Sequence, residues 1–349
     1  MFRVALSGDF LKPDGSPAFP MFDLAPLAAD RNVQFEYVEP EDGRMTASSL
    51  AGFDALILLA ANFDAESIPD DGRLSIVARF GVGYDNVDIE ACTNAGIGVA
   101  ITPDGVRRPV AVSILTLILA LSGKLFDKDR LTRLGPAGFA ERSDYMGNGL
   151  VGRTLGSIGI GNIGAEMFQI CRPLDMKFIA HDPWADPKVV EILGVELVSL
   201  DDVFSRSDFL SINTPLTPQT EHMVNGDRLA MMKPTAYLIN TSRGPVIDQP
   251  ALVKALKDGT IAGAGLDVFD PEPPGADDPL LQLDNVILTP HALCWTDQCF
   301  AGIGASAVTQ VLNVKDCVPP AHLVNRALAD DAEFLRRLNK YGKIGNSSD

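Results

Sequence analysis

The segment TLGSIGIGNIGAEMFQI, residues 154–170, carries the strongest indication of the fold of this chain. It starts as an apolar strand-like run, passes through the pattern Gly-x-Gly-x-x-Gly and continues with helical periodicity. In a strand–turn–helix unit, Gly159 permits the tight turn, Gly161 lets the backbone approach a pyrophosphate, and Gly164 allows close helix–strand packing. The N–H groups of Asn162 and Ile163, at the positive end of the helix, would meet the phosphates. The pattern therefore predicts a dinucleotide-binding turn.

An acidic residue follows the next strand-like run, KFIA. Asp182 lies 18 residues beyond Gly164 and directly before Pro183. An acid at this strand end accepts hydrogen bonds from the adenosine ribose and repels a 2′-phosphate. No basic residue follows before Lys188, so NAD is favoured over NADP. The alternative interpretation makes Asp182 a turn residue, and His181 beside it is expected to be an ordinary surface residue.

Strand-like and helical patterns alternate along almost the whole chain. Alternation of this kind predicts parallel sheets covered by helices. One sheet is expected over roughly the first hundred residues and another from about 150 to 290. The helical tail after about 300 is expected to return to the first sheet, and the final GNSSD to be disordered. The strand-like runs are 3–6, 55–59, 76–80, 98–101, 154–160, 177–180, 195–198, 209–212, 236–239, 264–268 and 286–289.

Composition limits the classes of partner. The 349 residues contain 46% hydrophobic and 21% charged residues, as in globular proteins with two ordinary domains. The formal net charge of −17 argues against nucleic acid and anionic membranes as partners. Five cysteines without a Cys-x-x-Cys pair, and no recognisable signal peptide, indicate a reducing cytoplasm and no metal site.

One apolar segment resembles a membrane span. PVAVSILTLILALSG, residues 109–123, is shorter than the roughly 20 residues that a bilayer requires. Arg107, Arg108 and Lys124 flank it. A helix that is apolar on every side is expected to be buried on every side. The segment is therefore predicted to lie between domains or between subunits.

Three polar residues follow successive strand-like runs in the second half of the chain. Arg243, Glu272 and His291 follow AYLIN, AGLDV and VILT. Ligands of open parallel sheets bind at the carboxyl ends of the strands. Histidine can transfer a proton near neutral pH, a carboxylate can orient it, and arginine can grip a substrate carboxylate. The alternative interpretation is that the three residues are a surface arginine, a loop glutamate and a buried histidine without a shared function. It is less favoured because all three follow strands at one edge of the sheet.

These motifs together resemble the D-isomer-specific 2-hydroxyacid dehydrogenases, a family that includes glyoxylate/hydroxypyruvate reductases and D-glycerate and 3-phosphoglycerate dehydrogenases. The resemblance covers about residues 50–315. It is carried by RFGVGYDNVDIEACTNAGIGV, VGRTLGSIGIGNIG, PLTPQTEHMVN, NTSRGPVID, AGAGLDVFDPEP and TPHALCWT. It implies an α/β fold of two Rossmann-like or flavodoxin-like parallel-sheet domains, with the NAD-binding domain (104–294) inserted into a discontinuous substrate domain (1–103 and 295–349).

The resemblance also implies site residues. Arg243, Glu272 and His291 occupy the positions of the family's catalytic set. The backbone of Val82 and Gly83 would receive the substrate carboxylate. In addition to the glycine turn and Asp182, the positions implied to contact the cofactor are Thr214, Thr241, Ser242 and His291. Asp267, at the end of its strand, would accept a hydrogen bond from the nicotinamide amide. Homodimerisation through the helix at 109–123 is expected.

Several features depart from the family pattern or stay open. GVRRPVAVS, residues 105–113, carries the pair Arg107 and Arg108 and lacks the Glu-His that often follows Val-Ala in the family. The two arginines would either offer charge to an anionic substrate or cover the helix surface, and the second interpretation is preferred. Cys294 and Trp295 lie close in sequence to His291, and Trp295 would either wall the substrate pocket or pack within a domain. The insert SGDFLKPDGSPAF after the first strand is either part of a lid or a loop.

The leading hypothesis is an NAD-dependent oxidoreductase that interconverts a 2-keto acid and a D-2-hydroxy acid, with His291 as general acid and base. One alternative is a non-catalytic, NAD(H)-sensing protein like the corepressors that share this fold, because fold alone does not define function. The other is a specialised dehydrogenase of a phosphorylated or sugar-derived acid. The partner is expected to be a small molecule in every enzymatic case.

Overall fold

The computed structural model describes residues 1–340, so the predicted disorder of GNSSD concerns residues outside the described part. The chain divides into two compact units. The first comprises Met1–Val106 and Trp295–Asp349, and the second comprises Arg107–Cys294. The sequence-based boundaries stood at 103/104 and 294/295, and the assignment of substrate and NAD binding to separate units stays a prediction.

A five-stranded parallel sheet forms the centre of the first unit, in the order β2-β1-β3-β4-β5. Buried apolar side chains such as Leu56, Val77 and Val99 fill its core. Strands β1, β3, β4 and β5 coincide with predicted runs, whereas β2 was missed because its edge position leaves alternate residues half exposed. The elements are β1 Phe2–Ser7, α1 Ala25–Ala29, β2 Val33–Val38, α2 Ala47–Leu50, β3 Ala55–Leu58, β4 Ile76–Arg79, α3 Ile89–Asn94 and β5 Gly98–Ala100.

The insert after β1 is anchored by aromatic packing. Its short 3-10 helix, Gly8–Phe10, is followed by a bridge between Leu11 and Pro17. The Phe10 ring lies 4.9 Å from that of Phe80, and Phe19 stacks on Phe300 at 4.1 Å. These contacts make the insert an ordered loop of the first unit.

A long helix, α4 (Pro103–Gly123), begins in the first unit and continues into the second. By length and composition it is the one helix among residues 1–340 that could cross a membrane, but 61% of its most apolar window is buried within the protein. Burial of the helix within the single chain is incomplete, because Val112 and Leu119 are each 46% exposed, and burial between subunits stays a prediction. One face of α4 therefore stays uncovered by residues 1–340.

The second unit contains a seven-stranded parallel sheet in the order β12-β11-β10-β9-β6-β7-β8. All seven strands overlap predicted runs. Ile158, Leu210 and Leu238 lie in a core cluster of this unit. Its elements are α5 Leu125–Arg133, α6 Pro136–Glu141, β6 Thr154–Ile158, α7 Asn162–Cys171, β7 Lys177–His181, α8 Pro187–Leu193, β8 Glu196–Leu197, α9 Leu200–Arg206, β9 Phe209–Ile212, α10 Gly226–Met231, β10 Tyr237–Asn240, α11 Gln249–Lys257, β11 Gly263–Leu266 and β12 Val286–Leu288.

The last part of the described chain belongs to the first unit. Helix α12, Asp297–Lys315, is capped by the Thr296 hydroxyl, which accepts from Cys299 N at 3.1 Å. After it, Asn325 accepts from Val99 N and donates to the Ile97 carbonyl, so the tail is tied to β5. The final element is α13, Ala332–Asn339. Shorter 3-10 segments are Ala65–Ser67, Arg142–Asp144, Arg172–Leu174, Gly244–Val246, Pro279–Gln282 and Arg326–Asp330.

Candidate active site

The predicted site residues of the second unit converge on one edge of its sheet. All strand pairs of this sheet are parallel, so their carboxyl ends share an edge. Each candidate follows one of these strands. Gly159 follows β6, Asp182 follows β7, Thr214 follows β9, Thr241 to Arg243 follow β10, Asp267 follows β11 and His291 follows β12.

The glycine turn has the geometry that its three glycines predict. Gly159 has φ +94°, and a Cβ there would lie 2.5 Å from the Asn213 carbonyl oxygen. A Cβ at Gly164 would lie 2.6 Å from the Gly159 oxygen, whereas one at Gly161 would meet nothing within 4 Å. The first and third glycines are thus required by the protein itself. The space above Gly161 is open at the start of α7, where N–H groups lack intrahelical partners.

Asp182 connects the glycine turn to the end of β7. One carboxylate oxygen accepts from Ile160 N at 2.9 Å, and the other accepts from Trp184 N at 2.9 Å. His181 precedes it, with its Nδ1 3.1 Å from the Val198 carbonyl oxygen. Asp182 is therefore held at the end of β7 by two backbone donors, and each oxygen retains acceptor capacity for a further donor.

Buried polar atoms without protein partners mark the same edge. Within the described residues, Thr241 Oγ1 and Asn213 Oδ1 are both buried and lack a hydrogen-bond partner. Such atoms are costly unless a bound group satisfies them. Ser242, by contrast, uses both its N–H and its hydroxyl on Asn240 Oδ1. The open glycine turn and the two unsatisfied atoms fit a polar dinucleotide. Asn213 was not predicted, although its position directly before Thr214 would have suggested it.

Glu272 and His291 form a close pair. Glu272 Oε1 lies 2.5 Å from His291 Nδ1, and Glu272 Oε2 accepts from Phe269 N at 3.2 Å. Burial alone would raise the pKa of the Glu272 carboxyl. The hydrogen bond and charge of His291, with the Phe269 N–H and the charge of Arg243, outweigh burial and lower that pKa. The pair therefore holds an ionised carboxylate against an imidazole.

The loop carrying His291 is shaped by Asp267. His291 has φ +53°, a left-handed conformation that is uncommon for residues other than glycine. The buried Asp267 carboxylate accepts from the Thr289 hydroxyl at 2.6 Å, Ala292 N at 3.1 Å and Leu293 N at 3.2 Å. Burial raises the pKa of Asp267 and is only partly offset by these bonds. Asp267 therefore fixes the loop that carries His291, a role that the sequence did not suggest.

Arg243 follows β10 in extended conformation, at the start of the 3-10 segment Gly244–Val246. Its Nη1 donates to the Ser242 carbonyl at 2.7 Å, and Asn240 Nδ2 donates to the Arg243 carbonyl. A Cβ at Gly244 would collide with the Phe269 carbonyl. The tight approach of these two backbone segments places the strand end bearing Arg243 beside the loop that leads to Glu272.

Val82 and Gly83 lie in the first unit, in the loop after β4. Gly81 has φ +140°, and its N–H donates to the Thr102 hydroxyl at 2.8 Å. Arg79 Nε donates to Asn86 Oδ1 across the base of this loop. The backbone of residues 81–83 is thus framed at both ends within its own unit.

Arg107 and Arg108 share one buried carboxylate. Glu166 on α7 is 7% exposed, and its oxygens lie 3.4 Å from Arg107 Nε and 2.7 Å from Arg108 Nε. The interpretation that these arginines cover the helix surface omitted Glu166, because the sequence alone did not show that α4 and α7 approach each other. Two cations that neutralise a buried anion do not constitute a free anion site.

Cys294 and Trp295 separate at the unit boundary. Cys294 is the last residue of the second unit. Trp295 belongs to the first unit, is 55% exposed, and meets Phe19 and Phe300 edge-on at 5.4 and 5.3 Å. This geometry supports domain packing for Trp295. Among residues 1–340, no group of three or more His, Cys, Asp or Glu residues is arranged to hold a metal ion.

A dinucleotide cradle beside an imidazole–carboxylate pair defines a class of protein, the nicotinamide-dependent oxidoreductases. Residues 115–292 match the family model described as the D-isomer specific 2-hydroxyacid dehydrogenase, NAD binding domain. The chain belongs to the D-isomer specific 2-hydroxyacid dehydrogenase family.

Individual relatives agree with this membership. The chain is 39% identical over 289 residues to a glyoxylate reductase from Korarchaeum cryptofilum, covering 82% of this chain and 87% of the relative. A D-3-phosphoglycerate dehydrogenase from Archaeoglobus fulgidus is 34% identical over 84% of this chain but only 56% of its own length.

Solved structures show the same architecture. A glyoxylate reductase from Paecilomyes thermophila superposes with a TM-score of 0.80 at 26% identity, over 93% of this chain and 98% of that one. An NAD-complexed D-isomer specific 2-hydroxyacid dehydrogenase from Lactobacillus delbrueckii ssp. bulgaricus gives a TM-score of 0.72 at 25% identity, over 92% and 99%.

The predictions of fold class, family, NAD as cofactor and an oxidoreductase of 2-keto and D-2-hydroxy acids are confirmed. The non-catalytic alternative and the specialised acid dehydrogenase are not favoured by the relatives.

Proposed function

We propose that this enzyme is an NADH-dependent reductase of small, unphosphorylated 2-keto acids, with glyoxylate as the first substrate to test. The Glu272–His291 pair, 2.5 Å apart at the edge of the dinucleotide sheet, carries the proposal. Relatives at 38–39% identity that are named glyoxylate reductases support the substrate. The pairing of Arg107 and Arg108 with Glu166 argues against a phosphorylated substrate.

The proton step is assigned to His291. Its Nδ1 is engaged by Glu272, which leaves Nε2 to give a proton to the substrate oxygen during reduction and to take it during oxidation. NADH, when bound, supplies the hydride that reaches the keto carbon. Glu272 keeps the ring orientation and stabilises the positive imidazolium. The short contact and the lowered pKa of Glu272 suit this part.

Substrate binding is assigned to Arg243 and to the backbone of Val82 and Gly83. A guanidinium binds a carboxylate through two parallel hydrogen bonds and polarises a neighbouring carbonyl. Arg243 lies close enough for its charge to act on Glu272. The framed loop at 81–83 offers backbone N–H groups for the substrate carboxylate.

Cofactor binding is assigned to the carboxyl edge of the second sheet. Gly161, with Asn162, Ile163 and the turn glycines Gly159 and Gly164, would hold the pyrophosphate at the start of α7. Asp182 would accept from the adenosine ribose. The unsatisfied Thr241 hydroxyl supports a cofactor contact there, and Thr214, Ser242, Asp267 and His291 complete the proposed set.

We further propose a cytoplasmic homodimer in which the second unit binds NAD and the first binds substrate. Five cysteines without a Cys-x-x-Cys pair suit a reducing compartment. The apolar residues Val112 and Leu119 on α4, and Leu125 and Phe126 on α5, are 46–61% exposed. A surface of this kind is typical of an interface between copies of a chain.

Purified enzyme with NADH and a panel of 2-keto acids tests the proposal. The expected result is loss of NADH absorbance with glyoxylate and hydroxypyruvate, and much weaker turnover with phosphorylated acids. NADH binding without oxidation by any member of the panel would refute it. A preference for a phosphorylated acid that disappears in Arg107→Gln/Arg108→Gln would instead support the specialised dehydrogenase.

A further inference from the structure

Trp184 is exposed to a degree that the fold does not explain. Its side chain is 89% exposed, the largest value among the large apolar residues of the described chain. The other tryptophan, Trp295, packs against two phenylalanine rings. No aromatic contact involves Trp184 within residues 1–340. Tryptophan carries more buriable surface than any other side chain and is usually largely covered.

The backbone of Trp184 is fixed at the proposed cofactor edge. Its N–H donates to one oxygen of Asp182 at 2.9 Å, and the other oxygen of that carboxylate holds Ile160 of the glycine turn. Pro183 between them has a restricted φ, and Ala185 N closes the turn on the Asp182 carbonyl at 3.4 Å. One carboxylate thus links the pyrophosphate turn to the exposed indole.

The chemistry of the adenosine end identifies a suitable ligand. If Asp182 binds the ribose, the purine attached to that ribose lies within a few ångströms of the next residues along the chain. A purine is flat and uncharged, and it gains about 1–3 kcal/mol from stacking on an aromatic ring. An indole two residues after the ribose-binding acid offers such a ring.

We propose that Trp184 is a cofactor-binding residue that stacks on the adenine of NAD. The inference rests on the ribose contact proposed for Asp182. It gives a physical reason for the exposure of the indole, since the free enzyme lacks the ring that would cover it. Trp184 would contribute to the affinity for the dinucleotide and take no part in proton or hydride transfer.

Intrinsic fluorescence isolates this residue, because the chain contains two tryptophans. In Trp295→Phe, all indole emission comes from Trp184. AMP and NAD are expected to quench that emission saturably, whereas nicotinamide mononucleotide is not. Unchanged emission at AMP concentrations that displace bound NADH would overturn the proposal.

Direct binding provides the second readout. Trp184→Ala is expected to weaken NADH binding by calorimetry at least about fivefold, in line with the loss of one stacked base. Trp184→Phe should recover part of the affinity. Ile192→Ala, at a 72% exposed apolar position near the end of α8, serves as the matched control and should leave binding unchanged.

Two further results keep this proposal separate from the proposed function. If Asp182→Ala shifts the preference from NADH towards NADPH while Trp184→Ala binds NADH within twofold of wild type, the ribose contact stands and the stacking is refuted. If Trp184→Ala changes only the oligomeric state, the indole serves a protein contact and the proposal is overturned. Wild-type glyoxylate turnover is measured independently of both.

Discussion

At the scale of single residues, the imidazole–carboxylate pair makes the sharpest chemical claim. His291 and Glu272 lie 19 positions apart in the chain and 2.5 Å apart in space. The left-handed backbone of His291 is maintained by a loop whose amides and hydroxyl bind Asp267. The sequence indicates the acid and the base, whereas the backbone conformation that lets them meet depends on a third, buried residue.

Replacing the histidine should separate chemistry from binding. His291→Ala is expected to lower kcat by about 10²–10⁴-fold, the usual contribution of a general acid or base. The affinity for NADH, measured by nicotinamide fluorescence, should stay within about threefold, since His291 is only one of several proposed cofactor contacts and the dinucleotide turn is untouched. His222→Ala is the matched control, because His222 also has a positive φ and lies 4.0 Å from an acid, Asp270. Turnover that survives in His291→Ala would contradict the proton role.

Glu272→Gln should reveal the charge of the carboxylate through pH dependence. The pKa of Glu272 lies below its ordinary 4.5 in the folded enzyme, because the His291 bond and nearby positive charges outweigh burial. The ionised form therefore stabilises the fold above pH 4.5, and this stabilisation is lost as pH falls through the lowered folded pKa.

Thermal unfolding of both forms across pH provides the measurement. The wild type should exceed Glu272→Gln in Tm at neutral pH, and the gap should narrow in acid. A gap that is constant or grows towards low pH would show that the carboxylate is not held ionised by its neighbours.

At the level of secondary-structure elements, the three glycines of the β6–α7 turn have different roles. Gly159 and Gly164 are required by the fold, whereas Gly161 is required by the proposed ligand. A Cβ at Gly159 or Gly164 would lie only 2.5 or 2.6 Å from a backbone oxygen. Gly161, with φ −66°, could accept a side chain without strain or collision. The three glycines look equivalent in the sequence motif. Only the packing around each one shows why that position must be glycine.

Gly161→Ala is expected to fold with an unchanged Tm and to lose at least about tenfold in NADH affinity, because its Cβ would occupy the space that a pyrophosphate needs. Circular dichroism and calorimetry on the same preparation measure both effects. Gly159→Ala is the contrasting variant and should be destabilised, since an L side chain is strained at its φ of +94°. Wild-type NADH affinity in Gly161→Ala would show that the pyrophosphate does not approach this backbone.

The ion pairs of Arg107 and Arg108 with Glu166 could not be predicted from the sequence. Arg107 and Arg108 are prominent in the sequence, but their partner Glu166 looks like any polar residue of α7. Helix α4 and helix α7 are separated by more than thirty residues of chain. The need for the two arginines becomes clear only when α4 packs near α7, because the buried Glu166 carboxylate must be neutralised by cations.

For the whole molecule, the exposed apolar face of α4 leads to a prediction about dimer formation. Val112 and Leu119 are each 46% exposed although they belong to the long apolar helix α4. Leu119→Glu is expected to convert a dimer into a monomer, because a carboxylate in an apolar interface has no partner and a high desolvation cost. Sedimentation velocity at several concentrations measures the change.

Met21→Glu, at a 48% exposed position of the first unit, is a matched control and should leave the sedimentation coefficient unchanged. A wild-type enzyme that sediments as a monomer at every concentration would refute the dimer outright.

The two parallel sheets, the dinucleotide turn, the acid after β7 and the three polar residues after β10, β11 and β12 could all be predicted from the amino-acid sequence. Those features are local, because periodicity, glycine spacing and strand-end position are read within short stretches of chain. The edge strand β2 escaped because half-exposed residues weaken the apolar pattern. Tertiary structure alone decided that Asp267 holds the histidine loop, that Glu166 binds both arginines, that Thr241 and Asn213 are left unsatisfied, and that Trp184 stays uncovered. Each of these is a relation between distant segments, and burial and hydrogen-bond pairing exist only once those segments have come together.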